Sequence, residues 1–253
     1  MKFRLIVFIV FFLVLLAGVL LIRPIVGNMM LSVDMSGEEM QQIPDFLKEL
    51  VSSSMRTENQ YKDDQFFLIS QWFGKNFGQF SPFLALIIAF PLFARETEKK
   101  TIYLLIARRS RAEVFFGKVF SAYSILLILL FSFSLLAPVV MMLSGYKIAF
   151  NAELTQVIVQ QIVSASFFYF LFVLFSVLFS DQIKPVILGI VLIFAMPFTS
   201  MIPFIEWMNL FPYTLGHNIL LGNGFDWLKS LVLMLLILVL FFFSKSLFEK
   251  KEF

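Results

Sequence analysis

Residues 119–146 read VFSAYSILLILLFSFSLLAPVVMMLSGY, 28 positions without a charge. A helix needs about 20 mostly apolar residues to cross the hydrocarbon layer of a bilayer. A soluble domain rarely holds an apolar run this long and unbroken. The same signature recurs along the chain. Leu5–Ile22 and Phe77–Ala94 are uncharged for 18 residues each, Leu154–Ser180 for 27 and Pro185–Ile205 for 21. Trp227–Ser244 carries a single charge, Lys229, near its end, where a long side chain reaches the headgroups. These runs are solidly apolar rather than alternating, so they predict helices and not barrel strands.

Composition agrees with that reading. Of 253 residues, 60% are hydrophobic and 15% are charged. Soluble domains sit at about 45–50% and about 25%. The balance excludes an ordinary soluble enzyme, a nucleic-acid binder and a disordered chain. The chain has no cysteine, so it has no disulfide, thiolate metal site or cysteine nucleophile. Lys2 and Arg4 before the first run resemble a signal peptide, but the run exceeds the usual apolar core and no small-x-small cleavage site follows.

The expectation is an all-α integral membrane protein, a single transmembrane domain over residues 1–253. Its six spans are 5–22, 77–94, 119–143, 155–180, 185–202 and 227–244. With the N-terminus inside, the cytoplasmic pieces 1–4, 95–118, 181–184 and 245–253 hold 13 basic and 6 acidic residues. The outer pieces hold 7 basic and 11 acidic residues. That bias places both termini in the cytoplasm.

Segment 23–76 is the largest piece outside the spans and is read as extracellular. Ser36-Gly-Glu-Glu39 forms a capping box. Pro44–Val51 is amphipathic, and Lys62–Phe77 repeats the pattern with Phe66, Phe67, Trp72 and Phe73. Two or three short helices capping the outer surface are expected, either lying there passively or serving as a lid.

Between spans two and three stands Arg95-Glu-Thr-Glu-Lys-Lys-Thr-Ile-Tyr-Leu-Leu-Ile-Ala-Arg-Arg-Ser-Arg-Ala-Glu-Val-Phe-Phe-Gly-Lys118. It is too long for a tight turn and too apolar in its middle for a solvated loop. Ile102, Leu105 and Ile106 fall on one face of a short helix. Ser110-Arg-Ala-Glu113 is a second capping box that opens span three. Arg108, Arg109 and Arg111 sit at headgroup height. They read either as an anchor on anionic lipid or as contacts to a soluble partner. Residues 197–226 carry Pro197, Pro203, Pro212, Gly216, Gly222 and Gly224, a density of breakers that predicts a fifth span ending near Ile202 and then, over 203–226, short helices re-entering the outer leaflet. Pro82, Pro91 and Pro138 are expected to kink spans two and three.

Catalytic signatures are missing. His217 is the one histidine, which excludes a histidine metal cage and HExxH. It reads as an interfacial residue. There is no GxSxG elbow, and no GxxxxGK[ST], because Gly117-Lys118 is followed by Val119. The apolar runs hold no acid pair of the kind used in proton relays. The chain is therefore expected not to be an enzyme, with no metal or cofactor of its own.

At residues 93–120 the sequence resembles the permease subunit of type-2 ABC transporters, mostly exporters. Phe93-Ala-Arg-Glu96, Lys100-Thr-Ile-Tyr-Leu-Leu105, Arg109-Ser-Arg111 and Gly117-Lys118 carry the likeness. Lys100 stands where glycine is commoner in that family, and Arg108-Arg109 replace a frequent proline. The resemblance implies a coupling helix within 95–118 that docks on a separate cytoplasmic ATPase. Its interface would comprise Glu96, Thr101, Ile102, Leu104, Leu105, Arg108 and Arg109, with Arg111 and Lys118 as membrane anchors. Asn209, Pro212 and Tyr213 look like the turn of the family's re-entrant helices before the last span. The family's usual amphipathic helix before span one has only four residues here, so it is expected to be absent or very short. The implied partners are two ATPase subunits carrying ATP and Mg, a second copy or a related permease, and membrane lipid. No nucleic acid is implied. The implied setting is the cytoplasmic membrane of a bacterium, where the chain would be multi-pass. Two alternatives stand beside this: a non-transporting membrane scaffold, and a haem-export permease, against which the long segment 23–76 argues.

Overall fold

A computed structural model describes residues 6, 9–21, 64–201, 204 and 209–252. The expected capping box at 36–39 and the amphipathic stretch at 44–51 lie outside these residues, as does most of segment 23–76.

The described residues are helical, with no strand among them. α1 spans Ile9–Leu21. α2 (Asp64–Phe67) runs through a π-helical stretch, Leu68–Asn76, into α3 (Phe77–Ala89). Two short helices follow, α4 (Ala94–Glu98) and α5 (Ile102–Ile106). α6 (Arg111–Leu143) and α7 (Ala152–Leu178) are long. α8 (Ile183–Ala195) passes into a 3₁₀ turn, Met196–Met201. Then come α9 (Phe211–Thr214), α10 (His217–Leu220) and α11 (Trp227–Lys250).

Four stretches are long and apolar enough to cross a membrane: Asp64–Glu98, Arg111–Leu143, Ala152–Leu178 and Trp227–Lys250. Ile9–Leu21 and Ile183–Thr199 are shorter apolar helices. The first of the four begins at Asp64, ahead of the uncharged run that opens at Phe77. Only Asp64 and Lys75 are charged in this lead-in, and Lys75 is exposed. Phe67, Leu68, Trp72 and Phe73 are buried, so this part packs into the bundle rather than lying on its surface. Trp72 donates its indole N–H to the Phe133 carbonyl of α6 at 3.2 Å. Phe12 of α1 closes the same cluster against Trp72, Phe77 and Phe133.

α7 is the axis of the bundle. Its most apolar window is 83% buried, against 22% for α11. It packs on α3, α6, α8, α9 and α11. Hydrophobic transfer does not drive helix association in lipid, so close packing and hydrogen bonds must do so. Gly189 shows the packing: a methyl there would meet Leu86 Cδ1 at 2.5 Å and Phe172 Cε1 at 3.2 Å. The outward faces of α11 and α8 are apolar, with Leu231, Leu235, Phe242, Ile187 and Phe194 exposed.

The prolines divide. Helices continue through Pro82 and Pro138. Pro82 lacks an N–H for the Gly78 carbonyl, and the Ser81 hydroxyl donates to that oxygen instead, at 3.1 Å. At Pro91 the helix ends, and Phe90–Phe93 form a turn.

Candidate functional site

Eleven of the described basic residues gather at one end of the bundle, formed by residues 90–118, 181–184 and 245–251. α5 stands at this basic end. Ser110 opens α6 as its N-cap, accepting the Glu113 N–H at 3.3 Å. Ile102 is fully buried and pins α5 to the bundle, while Tyr103, Leu104 and Leu105 are 47%, 66% and 37% exposed. The expected face of Ile102, Leu105 and Ile106 is therefore split between the two sides. Arg108 and Arg109 follow, both exposed. The outcome is a small apolar knob with a basic flank.

The turn before α5 is held locally. Thr101 donates its N–H to the Glu96 carbonyl at 2.9 Å, and its hydroxyl reaches the same oxygen at 3.4 Å. Lys100 adopts φ +56°, a left-handed conformation that costs a side-chain-bearing residue about 1–2 kcal/mol. That strain accounts for glycine being the easier residue at this position.

Glu96 does not face outward. It pairs with Lys118 of α6, whose ammonium also donates to the Leu92 carbonyl at 3.3 Å. Arg111 donates from Nη1 to the carbonyls of Glu249 and Lys251, at 2.5 and 3.0 Å. Arg111 and Lys118, expected as anchors, thus both have protein partners.

Residues not singled out in the sequence complete this end. Ser176 of α7 is buried at the Pro91 break. Its Oγ accepts from the N–H groups of Phe93 and Ala94 at 3.0 and 3.2 Å, and it donates to the Phe90 carbonyl at 2.8 Å. Lys251 donates to the terminal carbonyls of α7, with Val177 at 2.6 Å, Leu178 at 3.4 Å and Phe179 at 3.3 Å. A cation suits the negative end of a helix dipole. Burial nonetheless pulls the Lys251 ammonium below its ordinary pKa. Glu98 accepts from the N–H and side-chain amide of Gln182, at 3.1 and 2.7 Å, tying α4 to the start of α8. Asp181 caps the same start, and hydrogen bonds from the backbone and side chain of Lys184 hold its carboxyl below the usual range. Beneath this polar layer Phe93, Phe115 and Phe248 pack ring on ring.

At the opposite end, Asn209 stands just before α9, and Pro212 and Tyr213 lie within it. Asn209 accepts the Phe211 N–H at 3.0 Å, and Pro212 is exposed at the helix start. The Tyr213 hydroxyl meets Ser230 of α11 at 2.7 Å. Gln160 of α7 donates to the Tyr213 carbonyl at 2.5 Å, and Gln161 donates to those of Thr214 and, at 3.2 Å, Phe73. Ser164 meets the Thr214 hydroxyl at 2.5 Å. Gly216 turns the chain between α9 and α10 at φ +68°. His217 is exposed beside it. The Gln160-Gln161 pair, two carboxamides inside an uncharged run, was the available signal for this node.

A family model described as ABC-2 family transporter protein matches residues 1–253. No curated protein and no solved structure matches the chain.

Proposed function

The chain belongs to the ABC-2 family of transporter proteins, and on that premise we propose that it is the membrane permease of an exporter whose ATPase docks on α5. One observation carries the reading. α5 is a rigid apolar knob, rooted by buried Ile102 and flanked by Arg108 and Arg109, between two membrane-length helices. A soluble subunit pressing on Leu104 and Leu105 would move α3 and α6 together, because α6 follows the knob after one short turn and α3 reaches it through α4 and two hydrogen-bonded turns.

In this reading the basic end is cytoplasmic, in line with the positive-inside bias. α1, the α2–α3 unit, α6, α7, α8 and α11 make six spans, with both termini inside. α9 and α10 are the re-entrant helices of the outer leaflet. Two ATPase subunits, which carry ATP and Mg, serve two permease chains, identical or related. The pathway forms between those chains in the cytoplasmic membrane. Glu96 and Thr101 shape the docking loop, while Leu104, Leu105, Arg108 and Arg109 contact the partner. Arg111 and Lys118 fix the loop to the bundle, at headgroup level.

The test is affinity purification of the tagged chain from its host in mild detergent. A stoichiometric P-loop ATPase is expected with the native chain and is lost with Leu105→Asp. The Leu105→Asp chain should elute at the native position in size-exclusion chromatography. Absence of any ATPase, in every mild detergent tried, refutes the reading.

A further inference from the structure

The basic ends of four helices are joined in a closed circuit. Glu96 of α4 pairs with Lys118 of α6. Arg111 of α6 holds the Glu249 and Lys251 carbonyls at the end of α11. Lys251, just past α11, holds the last three carbonyls around the end of α7. Ser176 of α7 returns to Phe90, Phe93 and Ala94, where α3 gives way to α4. Within the same helix ends Phe93 stacks on Phe115, and Phe248 packs on both at a tilt.

This arrangement has a mechanical consequence. α11 lies far from α5 in sequence; it packs along α7 and on α6, while its outward face is exposed. Its basic end meets the α5 region through Arg111, the first residue of α6 after the α5 loop, and through Phe248, which packs on Phe93 and Phe115. Each contact in the circuit is a side chain holding backbone groups or an opposite charge. Those carbonyls and N–H groups lie at helix ends, where the helical ladder runs out. Breaking a contact takes a hydrogen-bond partner from them, so the four ends resist moving separately.

We propose that Arg111, Lys251 and Ser176 are positioning residues that lock the ends of α3, α6, α7 and α11 into one plate, so that a push on α5 reaches α11. The plate is a property of the single chain. Its role in transmitting ATPase motion rests on the function proposed above.

The experiment separates the two. Because the chain has no cysteine, Ala107→Cys and Lys250→Cys, both at exposed positions, accept spin labels without background. In lipid nanodiscs the double-labelled chain gives one narrow distance distribution between α5 and the end of α11. Adding Arg111→Gln with Lys251→Met broadens that distribution at least twofold. Lys251→Arg with native Arg111 keeps it narrow. An unchanged width in the Gln/Met chain overturns the plate, whatever ATPase is or is not bound. In the co-purified complex, the Gln/Met chain retains the ATPase at native stoichiometry but loses its control of the hydrolysis rate. Native control in a chain with the broadened distribution overturns the transmitting role. Loss of the ATPase from the native chain instead refutes the docking reading and leaves the distance result to decide the plate.

Discussion

Replacing Ser176 with alanine removes a single oxygen and opens no sizeable cavity, so its effect isolates hydrogen bonding. That oxygen accepts from two backbone N–H groups and donates to one carbonyl, all at the Pro91 break, and Ser176 is fully buried. An unmet buried N–H costs about 1–3 kcal/mol. Two such groups, whose costs need not add in full, should bring the loss to about 2–4 kcal/mol. The measurement is reversible unfolding in mixed micelles with rising SDS, followed by tryptophan fluorescence. Ser124→Ala is the control, because its exposed hydroxyl bonds only the Phe120 carbonyl one turn back. The control should change stability by no more than about 0.5 kcal/mol. Ser176→Thr should recover part of the loss. Equal stabilities for Ser176→Ala and Ser124→Ala would show that the break after α3 is not held by α7.

Three further predictions concern stability. Lys100→Gly should stabilise by about 0.5–1 kcal/mol by relieving the left-handed backbone, whereas Lys100→Val should destabilise; thermal shift in micelles reads both signs. Gly78→Ala should cost about 1–3 kcal/mol, since a methyl there overlaps the Phe73 carbonyl oxygen and crowds Gln161 Nε2. Gly117→Ala, with open space around it inside α6, should instead be neutral or stabilising by up to about 1 kcal/mol; the same titration compares the two. A double-mutant cycle of Glu96→Gln and Lys118→Met should return a coupling of about 1 kcal/mol, falling as salt rises. A coupling that ignores salt would mean that packing, not charge, joins α4 to α6.

Much of this fold is written in uncharged runs. The long runs after Lys118 and after Glu153 became α6 and α7, and these helices start ahead of the runs, behind the polar caps Ser110 and Asn151. The break at Pro91 is equally local, because a ring without an N–H ends the ladder wherever neighbours do not compensate. What compensates is not local. Ser176 lies 83 residues from Phe93, and nothing in a run of phenylalanines and valines marks it as the residue that meets the turn. Lys251 reads as one more basic tail residue until the end of α7 is placed beside it. The stretch Lys62–Phe77 reads in the sequence as a helix capping the outer surface, because Phe66, Phe67, Trp72 and Phe73 repeat an amphipathic pattern. Its aromatic face had in fact a buried groove to fill, and Lys75 remains exposed. At α5 the apolar residues were legible, but not their division, since only the packed bundle decides that Ile102 points in and Leu104 out.

The proposed docking of an ATPase on α5 can be tested directly by placing a photoreactive amino acid at Leu104, the most exposed apolar residue of α5. The same residue at buried Ile102 and at Phe242, on the outward face of α11, supplies the controls. Irradiation of intact cells should join Leu104, and neither control, to a soluble P-loop ATPase identified by mass spectrometry. Adducts at Leu104 that contain only lipid, or an ATPase adduct at Phe242 and none at Leu104, would contradict the account.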